Sequence, residues 1–347
     1  MRRENNFDFL RLSLAILVIF SHCYPLGTGT ETNEPFVRLT HGQATGGAIA
    51  VDLFFIMSGY LITASFLRSE GIRDFLSKRV RRIYPGFTIA MLFGALVIIP
   101  LSGGAIRATR AGSLINFVGN ALLLREPLYA GTFSHNPLPN MVNGAVWTIP
   151  FEFWCYIGVL MLGMSGMLSR RKLMSGIFIC AVAFSVWFNV LHLEMPLARL
   201  LPMYLAGVIA YLFRDIIHYN RTHALICFFA LLFACFVPLT LGAILPFAAA
   251  YLLFWIAFNP SFRLHRAAKF GDFSYGTYLY AFPVQQMIVK TWGRPMSPFV
   301  LFLLAVPATL AFAIASWHFV ERPFLNMRRK PDLSRSADAA QIMPNPA

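Results

Sequence analysis

The sequence predicts an all-α polytopic membrane protein of about ten transmembrane helices in one bundle, with both termini cytoplasmic. Three observations carry this. First, 57% of the residues are hydrophobic and only 13% are charged, about half the charged share of an ordinary soluble domain. Second, apolar runs near the ~20 residues needed to cross a hydrocarbon core recur along the chain. Third, Lys and Arg collect on alternate connections between those runs.

The runs fall at 6–26, 46–67, 83–101, 145–168, 173–192, 197–214, 222–240, 242–258, 273–292 and 298–320. The first carries Asp8 and Arg11, is too long for a signal-peptide core and lacks a small-residue cleavage site, so it is expected to remain as the first span. A further apolar stretch, 113–124, is about half a span long and reads as a re-entrant or interfacial piece. With that piece non-spanning and the N-terminus inside, 21 of the 29 Lys and Arg residues fall on the cytoplasmic side, and only Arg38, Arg107, Arg110, Arg125, Lys290 and Arg294 fall outside. The net charge of +14 is then mostly topological, and no nucleic-acid partner is expected. The transmembrane domain is expected over 1–325, followed by a polar, disordered cytoplasmic tail over 326–347. The five cysteines all sit in apolar runs and read as small core residues.

Polar residues inside the spans point to function, because charge in a bilayer is costly. Arg11 and His22 lie eleven residues apart in the first run. Eleven steps of ~100° end about 20° past three full turns, so both share one helix face, roughly 16 Å apart along the axis. The topology sets His22, Asp52 and Glu152 at similar depths in the outer half of the membrane. A carboxylate beside a histidine fixes its tautomer and lets it take a proton from a hydroxyl. Either Asp52 or Glu152 could be that partner. On the inner side Lys78, Arg79, Arg81 and Arg82 form a dense basic cluster between the second and third runs. Such clusters suit lipid headgroups as well as phosphate ligands. With Arg11 deeper on the same side, the pattern fits a ligand with a phosphate-rich head and a long thin arm, a shape that coenzyme A has. Two outer segments, 27–45 and 102–144, are long enough to form a lid or acceptor site; the second holds Glu126 and His135. No internal repeat is evident, which weakens a transporter built from inverted halves.

Six segments, in order, resemble the bacterial integral-membrane acyltransferase family 3. NNFDFLRLSLAILVIFSH carries its Arg-x10-His pattern, and GGAIAVDLFFIMSGYLIT is similar to its second span. FLSKRVRRIYP resembles its Arg-x-x-Arg loop, on Arg79 and Arg82, and AVWTIPFEFWCY its Glu-containing segment. FSYGTYLYAFPV and ASWHFVERP resemble its closing motifs. The resemblance implies an enzyme of the bacterial inner membrane that moves an acyl group from cytoplasmic acyl-CoA to a hydroxyl of a surface or exported glycan. The family's histidine falls on His22, its arginine on Arg11 and its acid on Glu152. Acetyl-CoA, or another short acyl-CoA, is the implied donor, with no metal. Ala281 stands where many relatives carry His, with Gln285 and Gln286 one turn on. The catalytic set expected is therefore His22, Glu152 and Asp52, with Arg11, Arg79 and Arg82 binding the donor. The rival class is a transporter or flippase of a glycan or lipid-linked sugar.

Overall fold

A computed structural model of the protein describes residues 6–103, 114–126, 131–259, 261–262, 264, 271–293 and 295–327. The tail expected from 326 lies, from residue 328, outside the described residues, as do Arg107, Arg110, Arg263, Arg266, Lys269 and Arg294.

Helix α1 runs Phe7–Thr28 and ends on Gly29, whose φ of 80° is the left-handed cap that glycine adopts without strain. The short α2, Pro35–Leu39, and α3, Gly46–Leu67, start from one shared device. The buried Glu34 carboxylate accepts from Val37 N at 2.8 Å and from Gly46 N at 3.0 Å. This satisfies N–H groups that helix starts leave open. Helix α4, Ile72–Phe93, passes through a π turn at Gly94–Ile98 into α5, Ile99–Ser102, making a 31-residue rod. Helix α6, Leu114–Leu122, has nine residues, about 14 Å and too short to span. A 3-10 turn at Val146–Thr148 leads into α7, Ile149–Met164. Then come α8, Arg171–Val190; α9, Pro196–Leu212; α10, Arg221–Phe236; and α11, Leu241–Phe258. Helix α12, Ser274–Trp292, precedes α13, Pro298–Ser316, which continues through a π turn into α14, Arg322–Asn326.

Seven of these helical stretches are long and apolar enough to cross a membrane: Phe7–Thr28, Gly46–Leu67, Ile72–Ser102, Val146–Met164, Arg171–Val190, Leu241–Phe258 and Pro298–Asn326. The predicted segments 197–214 and 222–240 form shorter apolar helices, Pro196–Leu212 and Arg221–Phe236. The predicted 273–292 segment is α12, whose Gln285, Gln286 and Lys290 dilute its apolar character.

The third segment departs most from expectation. It begins at Ile72 rather than 83, so the basic cluster expected in a loop is helical and Pro85 lies inside the helix. A mid-helix proline costs about 3 kcal/mol. Burial of Phe75, Ile83 and Phe87, none more than 2% exposed, offsets that. The consequence is functional: Arg79 and Arg82, three residues apart, now share a face. Cys180 also departs, being exposed, whereas Cys23 and Cys155 are buried.

In the bundle α1 packs on α3, α12 and α13, while α3 packs closely on α9. That last crossing depends on glycine. A Cβ on Gly59 would run into the Tyr204 carbonyl, and one on Gly207 into the Ile56 carbonyl. Backbones approach in this way where small residues form the interface.

Candidate active site

A cavity of about 380 Å³ opens between α1, α3, α4, α7 and α12. Its lining includes the cations Arg11, Arg68, Lys78, Arg79, Arg81 and Arg82 together with Ser58, Glu152, Tyr156 and Tyr278. The structure thus brings together four residues selected from sequence: Arg11, Arg79, Arg82 and Glu152. His22 and Asp52 are not among the lining residues.

The arginines are not equivalent. Asp272, just before α12, takes Arg82 Nη2 at 2.6 Å and Arg11 Nη1 at 3.4 Å on the same oxygen, Oδ2. Its other oxygen accepts from Ser274 Oγ at 2.5 Å and from Ser274 N at 3.3 Å. Burial pushes the Asp272 carboxyl up, but the Arg82 and Arg11 guanidinia outweigh it and hold it at about 2. Arg82 Nη1 also lies 3.7 Å from Glu321 Oε2. Arg79 keeps more capacity. Its Nη2 donates to Ser65 Oγ at 3.2 Å, its guanidinium sits 5.8 Å from the rings of Phe75 and Tyr156, and its buried Nε has no partner.

Glu152 lies in the first turn of α7, where the helix dipole favours a carboxylate. Its Oε1 accepts from Tyr156 OH at 2.5 Å and Ser58 Oγ at 3.0 Å. Tyr156 is one turn along α7 and Ser58 reaches across from α3. Close by, Tyr278 OH lies 2.6 Å from Thr148 Oγ1 and 2.5 Å from the Ala145 carbonyl.

The expected pairing of His22 with a carboxylate is not made. Asp52, 4% exposed, binds Arg199 Nε at 3.1 Å, and Arg199 Nη2 donates to the Ala48 carbonyl at 2.6 Å. A buried carboxylate takes the nearest cation, and α9 supplies one. Glu152 is engaged by Tyr156 and Ser58. His22 instead lies edge-on to the Phe282 ring at 5.3 Å, and its Nδ1 is buried without a partner.

Sequence reasoning missed Asp272, Glu321, Ser58, Tyr156 and Arg199 as partners of the predicted residues. For Asp272 the signal was present: an Asp two residues before a Ser that opens an apolar run is a helix-start pattern. The Asp52–Arg199 pairing, 147 residues apart, left no local trace.

In the segment that follows α6, burial pushes the Glu126 carboxyl up to about 7 against the Asn143 N–H that pulls it down. That N–H reaches Glu126 Oε2 at 2.8 Å. Asn136 and Asn143 bond to α12, at Gln286 and the Leu279 carbonyl. His135 is exposed.

An all-helical bundle with membrane-length helices around a basic, tyrosine-lined cavity is the frame of a polytopic membrane enzyme. The sequence pattern of an acyltransferase domain matches residues 4–318. The chain belongs to that acyltransferase family, and is an acyltransferase moving groups other than aminoacyl groups. It is 30% identical to the O-acetyl transferase of Shigella phage Sf6, over 96% of this chain and 99% of that one. It is 26% identical to Nodulation protein 10 of Rhizobium leguminosarum bv. viciae, over 94% of each. It is 23% identical to the peptidoglycan O-acetyltransferase OatA of Listeria monocytogenes, over 82% of this chain and 52% of that one. No solved structure matches.

Proposed function

We propose that this protein transfers an acetyl or other short acyl group from cytoplasmic acyl-CoA to a hydroxyl of a surface or exported glycan. The observation that carries this is the cavity, whose lining combines six Lys and Arg side chains with Glu152, Tyr156 and Tyr278. The phosphates of coenzyme A suit the guanidinia. The names of the relatives support the acyl group and its acceptor: two are O-acetyl transferases, one of them acting on peptidoglycan.

His22 is the general base. Its imidazole takes the proton of the glycan hydroxyl as that oxygen attacks the thioester carbonyl. The tetrahedral intermediate collapses with C–S cleavage, the imidazolium returns the proton to the departing thiolate, and an ester and free coenzyme A result. Arg79, Arg82 and Arg11 bind the donor, Arg82 and Arg11 side by side on Asp272. Glu152 belongs to the catalytic set from within the cavity, held by Tyr156 and Ser58. Asp52 acts through Arg199, tying α3 to α9. Ten helices span the inner membrane of a bacterium with both termini cytoplasmic, within a domain over 1–325 followed by the tail.

The test is the O-acetyl content of extracted glycans by proton NMR, in a deletion strain complemented with wild type or with His22→Ala at equal expression. Acetyl signals lost on deletion, restored by wild type and absent with His22→Ala are expected. Unchanged acetylation with altered glycan export would favour the transporter class instead.

A further inference from the structure

Among the described residues no carboxylate bonds the imidazole of His22, and the helices packed on α1 explain why. Helix α1 packs on α3, α12 and α13. Helix α13 carries no charge over Pro298–Ser316. The one charge of α3 is Asp52, held by Arg199. The one charge of α12 is Lys290, which donates to the Leu101 carbonyl. A histidine base nevertheless needs one ring nitrogen held, so that the other presents its lone pair to the hydroxyl. Nδ1 of His22 is buried and bonded to nothing, a costly state for a ring nitrogen.

A second unpaired atom lies in the same seam. Oε1 of Gln285 is buried without a partner. Gln285 is 0% exposed, and its Nε2 donates to the Ile19 carbonyl at 2.9 Å and to Cys23 Sγ at 3.0 Å. Those two residues flank His22 on α1. A backbone carbonyl only accepts, so the amide atom facing it is the nitrogen and the free atom is the oxygen. One turn back along α12, Phe282 meets the imidazole edge-on. Helix α12 therefore presents Phe282 and Gln285 to the stretch of α1 that carries His22. Thr277, whose buried hydroxyl is also unpartnered, lies roughly 12 Å back along α12 from Gln285, toward the Arg11 end.

We propose that Gln285 is the positioning residue of His22. Its amide oxygen accepts the Nδ1–H through one buried water, which leaves Nε2 free to take the proton of the acceptor hydroxyl. A polar seam with two unsatisfied groups suits such a water. The amide does the tautomer-fixing work of a carboxylate without bringing a charge into an apolar bundle. The inference rests on the reading of His22 as the base.

The test uses the full chain purified in detergent. Initial rates are measured against pH with acyl-CoA varied up to saturation at saturating glycan, beside thermal unfolding. Gln285→Leu is expected to lower kcat at least about tenfold with little change in KM for acyl-CoA. Gln285→Glu keeps the acceptor oxygen and adds a charge that stabilises imidazolium. It is expected to retain most of kcat at high pH while its acid limb moves upward by about one pH unit or more. A well-folded Gln285→Leu with wild-type kcat and an unmoved acid limb would overturn the proposal.

Where a variant fails to fold, nitrogen-15 NMR of histidine-labelled wild type decides. The imidazole signal absent from His22→Gln is expected to show the Nδ1–H tautomer, and the Nε2–H tautomer would overturn the proposal. Full activity of His22→Gln would sink the base reading alone, since the tautomer still judges Gln285.

Discussion

Arg79 and Arg82 look alike in sequence, yet their surroundings give them different work. Arg82 is bonded to Asp272 and lies near Glu321, whereas Arg79 keeps a buried, unpartnered Nε in the cavity wall. A charge-assisted hydrogen bond is worth about 1.5–3 kcal/mol. Arg79→Ala is therefore expected to raise KM for acyl-CoA about tenfold or more with a smaller effect on kcat, as initial-rate kinetics would show. Asp272 is the counterpart. Its carboxyl is held at about 2, below its ordinary value of 3.8. A depressed carboxyl contributes stability that is fully present above its unfolded pKa and is lost as pH falls through the folded one. Asp272→Asn should lose at least about 2 kcal/mol at neutral pH. In thermal unfolding the gap from wild type should close as pH falls from about 4 towards 2.

At the scale of elements, the crossing of α3 and α9 is the tightest constraint. Gly207→Ala places a methyl against the Ile56 carbonyl, with an expected cost of about 1–3 kcal/mol from overpacking. A lowered unfolding temperature in detergent, with Gly176→Ala on the open surface of α8 unchanged, is the outcome to look for. The elements also show what sequence could and could not reveal. Run length and charge placement made the apolar segments legible, and the non-spanning reading of 113–124 agrees with a nine-residue α6. The start of α4 was not legible, because the basic residues at 78–82 end the apolar run, whereas burial of Phe75, Ile83 and Phe87 holds that stretch in the helix from Ile72. Arg11, Arg79, Arg82 and Glu152 were legible because each is a charge in or beside an apolar run, and they meet in one cavity. Their partners were not. Asp272 and Arg199 act across 190 and 147 residues of sequence, and only packing reveals which cation a carboxylate meets.

On the scale of the molecule, the proposed reaction requires the arginine cluster to face the donor's compartment and the His22 end of α1 to face the acceptor. Arginine-lined cavity and positive-inside charge then lie on one side for two different reasons, substrate and topology. Ser69→Cys and Thr32→Cys, each in a chain freed of its five native cysteines, test the sidedness with a membrane-impermeant maleimide. Thr32→Cys is expected to label in intact cells and Ser69→Cys only after permeabilisation; the reverse pattern would invert the proposed topology. Transfer of radiolabelled acetyl from acetyl-CoA into glycan by inverted membrane vesicles tests His22-dependent acyl transfer directly. Wild type and His22→Ala are compared at matched protein levels. Label in glycan with wild type and none above background with His22→Ala is the expected result. Wild-type labelling by His22→Ala would contradict it.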